Sequence, residues 1–270
     1  MGDNWLLCNG DIVPATNYPG YCELFGEEFA IDQVKSSNHS RPLCAAYAED
    51  KNCLVVGGET TLQIFYTTND GDSWTTTSLG SSISYSSDKQ TYIYKIKYIR
   101  GTWLACISWA NGSGYYYSGV YFTDDITSNT WTKAFSIKKP YSTSKKTGIL
   151  DIIYQDGRWI ACGSALSSGD SGTEIGRIYT TANESLTGTW TATSIFTTYS
   201  SFNSIAYNDG YYVVGGHKDS KACIAYSTDL SSWTAVFFTE DTKNNTMVNK
   251  VICANGTWAA VGKDYKNSYY

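Results

Sequence analysis

Two hairpin patterns alternate along this chain, and their alternation constrains the fold more than any other feature. The first runs strand, polar turn, Trp, strand. Its clearest copy is IFYTTNDGDSWT at residues 64–75, and ACIAYSTDLSSWT at 222–234 is a close second. VYFTDDITSNTWT at 120–132 and RIYTTANESLTGTWT at 177–191 are longer in the turn. Asp and Asn side chains accept hydrogen bonds from backbone N–H groups two residues on, and Gly permits positive φ. The Trp that follows covers the end of the hairpin with a large apolar surface.

The second pattern runs strand, Gly turn, aromatic, strand. It reads IKYIRGTWLAC at 96–106, IIYQDGRWIAC at 152–162, IAYNDGYYVVG at 205–215 and VICANGTWAAV at 251–261, with a degenerate copy, AAYAEDKNCLVV, at 45–56. Asp-Gly and Asn-Gly between apolar runs are strong hairpin signals. The aromatics after the turn, Trp103, Trp159, Tyr212 and Trp258, stand 56, 53 and 46 residues apart. Two hairpins per repeat make four strands, and four-stranded units at this pitch are β-propeller blades. The fold expected is all-β, a β-propeller of about five four-stranded blades over residues 42–270, preceded by an N-terminal arm, residues 1–41. Five first hairpins begin near Cys44, Tyr94, Leu150, Asn203 and Asn249, against four Trp turns. An unclosed propeller leaves sheet edges exposed, so the arm is expected to complete the fifth blade. The alternatives are a fragment, or closure by partner subunits.

The Trp-turn pattern resembles the Asp-box, or bacterial neuraminidase repeat, Ser/Thr-x-Asp-x-Gly-x-Ser/Thr-Trp. Thr67, Asn69, Gly71, Ser73 and Trp74 carry it, with Asn69 in place of the Asp; Ser227, Asp229, Ser232 and Trp233 carry a version one residue shorter. The resemblance implies a propeller in which Trp74, Trp131, Trp190, Trp233 and Asp229 are structural. It does not define function, because the hairpin serves enzymes and non-enzymes alike. The opening of the chain is similar to the phage tail-collar motif: Trp5, Leu6, Cys8, Asn9, Gly10, then Leu24, Phe25 and Gly26. That similarity implies a bacteriophage tail or fibre protein, located on the virion among other tail proteins and oligomeric there.

Composition narrows the partners. Net charge is −5 and pI about 5.0, with no basic patch, so nucleic acid is not an expected partner. No apolar run approaches the ~18 residues of a membrane helix, and the N-terminus shows no signal-peptide pattern. The eight cysteines replace strand residues, as Cys106 and Cys162 do at one repeat position, and read as buried thiols. Without a Cys-x-x-Cys pair, and with His39 and His217 as the only histidines, neither metal nor cofactor is expected.

Blade topology puts the short Gly and Trp turns on one face and the longer loops on the other. The long-loop face is rich in Tyr, Trp, Ser, Gly and Asn, a binding composition. Trp109, Tyr115, Tyr116, Tyr117, Tyr141 and Tyr199 are its candidate binding residues. Catalysis is not expected. Sialidases bearing this repeat use three arginines, a Tyr nucleophile with a Glu partner and an Asp acid. Here Arg41, Arg100, Arg158 and Arg177 are the only arginines, and their repeat positions do not converge. Asp124, Asp125, Glu240 and Asp241 read as turn residues. The function expected is a non-enzymatic structural or adhesive module of a phage tail, binding a host-surface glycan or protein. An assembly scaffold is the alternative, and a sialidase-like hydrolase ranks third.

Overall fold

The computed structural model describes residues 42–59, 62–85, 91–111, 115–138, 148–168, 171–238 and 246–263. The N-terminal arm, and with it the expectation that it closes the ring, lies outside them, as do Arg41, Tyr141, Glu240 and Asp241. Turn chemistry sets the strands. Arg100–Gly101, Asp156–Gly157, Asp209–Gly210 and Asn255–Gly256 each place two consecutive residues at positive φ. That is the type I′ geometry whose twist matches the flanking strands.

Blade one comprises β1 (Pro42–Ala48), β2 (Cys53–Gly58), β3 (Gln63–Thr67) and β4 (Thr75–Ser78). Blade two comprises β5 (Tyr92–Ile99), β6 (Thr102–Ala110), β7 (Tyr116–Thr123) and β8 (Thr132–Lys138). Blade three is β9 (Ile149–Gln155), β10 (Arg158–Ser168), β11 (Ser171–Thr181) and β12 (Trp190–Ser194). Blade four is β13 (Ser200–Asn208), β14 (Tyr211–Lys218), β15 (Lys221–Ser227) and β16 (Thr234–Phe237), and β17 (Met247–Ala254) with β18 (Thr257–Lys263) form a half-blade. Each of the four full sheets is an antiparallel meander in sequence order. The architecture is a β-propeller, as the repeat predicts.

The Trp turns are held from within. Thr67 Oγ1 donates to Asn69 Oδ1 (2.8 Å) and accepts the Gly71 N–H (3.1 Å), while Asn69 Oδ1 accepts the Ser73 N–H (3.1 Å). Asp229 accepts the N–H groups of Ser232 and Ser231, each at 2.8 Å, and the Ser227 hydroxyl at 3.0 Å. Those bonds hold its carboxyl well below the usual carboxylate range. Trp131 is buried, whereas Trp74, Trp190 and Trp233 are half-buried. The Trp190 and Trp233 indole N–H groups donate to the carbonyls of Leu186 and Leu230 at 3.0 and 3.1 Å.

One irregularity recurs in every blade. The inner strand carries an extra residue, Leu43, Tyr94, Leu150, Asn203 or Asn249, where the pairing slips by one. Such bulges bend a strand and re-aim the side chains beyond them. Successive blades pack through apolar layers on either side of the middle strands. Glycine lets them close. A Cβ on Gly57 would stand 2.7 Å from Ile93 Cγ2, and one on Gly215 would stand 2.5 Å from Val248 Cγ1. The half-blade shows what such neighbours contribute. Trp103, Trp159 and Tyr212 are 0%, 4% and 3% exposed, while Trp258 at the same repeat position is 36% exposed. Among the described residues no third strand lies beside β18.

Just after the bulge, Cys44, Lys95, Asp151, Ser204 and Lys250 form a layer, and Asp151 is its hub. Its side chain has no solvent exposure; Lys97 Nζ lies at 2.7 Å and Lys250 Nζ at 3.7 Å. Asp151 also accepts the Ile152 N–H (2.9 Å), the Ser204 hydroxyl (3.1 Å) and the Ile205 N–H (3.2 Å). Burial pushes its carboxyl up, but Lys97, Lys95 and Lys250 pull it further down, and the net shift is downward. One carboxylate thus ties together β5, β9, β13 and β17. Asp151→Asn is expected to destabilise by about 1–3 kcal/mol, because it leaves half-buried ammonium groups without their counter-charge and alters the bonds to Ser204 and Ile205; chemical denaturation measures it. A folded carboxyl held below its unfolded value of about 3.9 adds stability above that pH, lost as pH falls through the folded value. The variant should therefore lose part of the acid-induced drop in stability.

Candidate functional site

The bulge aligns one residue of each second strand at the long-loop end. Ser108 pairs with Tyr92, His217 with Ser201 and Lys263 with Met247; Glu59 and Ser164 hold the equivalent places in blades one and three. In blades one to four each follows, two positions on, a residue that packs against the next blade, Gly57, Cys106, Cys162 or Gly215; in the half-blade the corresponding Val261 is exposed. All five are polar. Glu59, Ser108, Ser164 and His217 are buried.

Blades one to three make the acidic side of this layer. Glu59 bridges by backbone to Tyr92. Tyr92 stacks parallel on Tyr94, centroids 5.4 Å apart. Ser164 donates a short hydrogen bond to Glu174 on β11, and its Oγ also accepts the Gly148 N–H at 3.2 Å. Tyr94 is half-buried, with its hydroxyl oxygen fully enclosed. Burial pushes its hydroxyl up, and the charges of Tyr92, Glu174 and Glu59 add to that while Ser108 opposes it. The Tyr92 hydroxyl is pushed up by burial, then by Glu59 and Tyr116. A phenol so placed keeps its proton. It is not a phenolate nucleophile, and the buried oxygen of Tyr94 has no hydrogen-bond partner among the described residues.

Blade four makes the other side. The Tyr199 ring lies 5.0 Å from the His217 imidazole. His217 Nδ1 and Ser201 Oγ are buried with no hydrogen-bond partner among the described residues. Thr91 Oγ1, at the entry to β5, and Asn249 Oδ1, on the bulge of β17, are orphaned in the same way. Buried polar atoms without partners cost about 1–3 kcal/mol each, and these four gather at one end of the molecule.

The aromatic residues named from the sequence divide. Trp109 is not in a loop: β6 runs through it, it is 6% exposed, and it stacks on Tyr117 at 5.6 Å and meets Tyr121 edge-on at 5.8 Å. Strand pairing continues as far as Ala110 and Tyr116, so the expected loop is mostly hairpin. Tyr117 packs against the same core and Tyr116 is half-buried beside Tyr92. Tyr115 is exposed, with Lys138 Nζ 5.1 Å from its ring centre. Tyr199 is the candidate that reaches the orphaned groups. The residues missed were Glu59, Glu174, Tyr94, Ser201 and His217. A signal was present, since Glu59 and His217 each follow Val-Val-Gly-Gly, at residues 55–58 and 213–216.

The three described arginines do not assemble. Arg100, in a short turn, lies 4.2 Å over the Tyr154 ring and pairs with Glu184 at 3.3 Å, Arg158 opens β10, and Arg177 donates to the Leu166 carbonyl at 3.4 Å. Asp125 caps its own turn through the Thr127 N–H and hydroxyl, at 2.9 and 2.7 Å. No cluster of three metal-ligating side chains occurs among the described residues.

No family model matches the chain, and no curated protein does; membership of the Asp-box and tail-collar families is not shown. Solved structures do match. Trypanosoma rangeli sialidase in complex with the inhibitor DANA aligns with a TM-score of 0.55 at 11% identity, over 87% of this chain and 44% of that one. The GH93 α-L-arabinofuranosidase of Fusarium graminearum with arabinobiose aligns with a TM-score of 0.51 at 14% identity, over 79% and 76%. The chain therefore spans under half the length of the sialidase. Identities this low show the fold, a β-propeller. The neighbours are glycoside hydrolases, and this overturns both the expected non-enzymatic tail module and the expectation of no enzymatic activity.

The buried placement of Trp109 is directly testable. Trp109→Ala is expected to cost about 3–5 kcal/mol, read as a lower denaturation midpoint, whereas Tyr115→Ala should leave the midpoint nearly unchanged.

Proposed function

We propose that the chain is a carbohydrate-active enzyme of the glycoside hydrolase type, with its reaction centre at the long-loop end of the propeller. One observation carries the reading: two carboxyl groups stand in the polar layer at this end, Glu59 buried on blade one beside Tyr92 and Glu174 on blade three bonded by Ser164. Glycoside hydrolysis needs two carboxyl groups, one protonating the leaving oxygen and one serving as nucleophile or base. Glu174, hydrogen-bonded to Ser164, is held in a fixed orientation and suits the ionised role. Glu59, buried at the blade junction, is the second carboxyl group. The Tyr94 hydroxyl, unpartnered among the described residues, offers a donor to a substrate at the same end. The glycosidase folds of the structural neighbours agree with this chemistry. The scattered arginines disfavour a sialidase-type carboxylate clamp and favour a substrate recognised through its hydroxyls.

The four Trp turns are read as Asp-box-type hairpins that hold the scaffold and take no part in the reaction. The collar-like opening supports a virion as the place where the enzyme acts, alongside other tail proteins.

Turnover of 4-nitrophenyl α-L-arabinofuranoside, 4-nitrophenyl β-D-xyloside and a fluorogenic sialoside tests the proposal. The wild type should release aglycone from at least one of them, and Glu59→Gln and Glu174→Gln should each lower kcat by roughly 10²–10⁴ with an unchanged thermal transition. A wild type inert on every glycoside tried, or variants as fast as the wild type, would refute it.

A further inference from the structure

We infer that Tyr199, Ser201 and His217 form a separate sugar-binding subsite on blade four, one that takes a neutral sugar ring through two neighbouring hydroxyl groups. The inference rests on the proposed hydrolase reading for its place in catalysis, but not for its binding chemistry.

Three observations meet there. Ser201 and His217 are cross-strand partners on β13 and β14, so their side chains leave the sheet on the same face, about 5 Å apart at Cβ. Both carry orphaned polar atoms, Oγ and Nδ1, while being only 2% and 6% exposed. Tyr199, in the bend just before β13, is 41% exposed and its ring lies tilted 5.0 Å from the imidazole. The result is one aromatic face open to solvent above two unmet hydrogen-bonding groups.

The chemistry of the ligand follows. A Ser hydroxyl both donates and accepts, and a neutral imidazole nitrogen does one or the other. A pair of adjacent sugar hydroxyls matches both, and the apolar face of the same ring covers Tyr199. His217 is neutral: its imidazole is pushed down to about 4, by burial first and then by the Lys263 ammonium, against a smaller upward pull from Asp219. Asp219 in turn pairs with Lys218 at 3.7 Å and accepts the Thr198 hydroxyl at 3.2 Å. The carboxylates proposed for catalysis belong to blades one and three, so an occupant of blade four is a second sugar unit. The substrate is then an oligosaccharide and not a single glycosyl group.

Titration calorimetry of the full chain carrying Glu174→Gln, with xylotriose and arabinotriose as probes, tests this without turnover. At least one trisaccharide should bind, and adding Ser201→Ala or Tyr199→Ala should weaken it about tenfold. Affinity should fall as pH drops towards 4, where His217 gains a charge, and the further change His217→Gln should remove that dependence. Unaltered affinity in Ser201→Ala and Tyr199→Ala, or tighter binding of glucuronic acid than of either neutral sugar, would overturn the subsite. Trisaccharide binding that needs these residues in a chain that hydrolyses nothing would uphold the subsite while the hydrolase reading falls. Hydrolysis of aryl glycosides with no trisaccharide bound would do the reverse.

Discussion

The repeated bulge on the inner strand is the constraint on which the rest of this molecule depends. A regular strand alternates its side chains strictly, so one face of each blade would carry every second residue from end to end. The extra residue at Leu43, Tyr94, Leu150, Asn203 or Asn249 breaks that alternation once per blade, at the same height. Below it, strands meet through apolar layers. Beyond it, polar side chains occupy positions that would otherwise continue the core. The scaffold and the reactive end are therefore parts of one strand pair, not a core with a site added in loops.

Asp151 shows how the interior tolerates charge. A wholly buried carboxylate is unfavourable alone, yet it stays ionised here because lysines from β5 and β17 and donors from β9 and β13 converge on it. The orphaned groups on blade four are the opposite case. Their surroundings do not satisfy them, and burial, helped by neighbouring Lys263, keeps His217 neutral. One end of the layer is saturated in hydrogen bonds and the other is open to them. That contrast separates structural polarity from recognition.

The blades were legible in the sequence because their causes are local. Asp-Gly and Asn-Gly turns and the Ser/Thr/Asp capping of the Trp turns act within a few residues, and they appear in the structure at the residues that predicted them. The site was not legible for the same reason. Glu59 and Glu174 stand on separate blades, and the position shared by Glu59, Ser108, Ser164, His217 and Lys263 emerges only once the bulge fixes the register. Trp109 misled because Trp and Tyr flanking Asn and Gly resemble a recognition loop, whereas strand pairing runs through them and the ring is core. The arginines were read correctly as scattered, but the absence of one catalytic set was extended to all catalysis, and the structural neighbours do not support that step.

The Asp151 hub also bears on how the chain reaches this state. Its bonds to Ser204 and Ile205 span 53 and 54 residues of sequence, and its lysine partners stand on blades two and five. Each hairpin can zip by itself, but the hub requires inner strands from four successive sheets to be in place first. Closing such long loops is entropically slow. The hub is therefore made late on the way to the folded chain. Interactions made late weigh on the rate of unfolding more than on the rate of folding. The carboxylate is expected to act as a latch, slowing the separation of the blades more than it speeds their assembly.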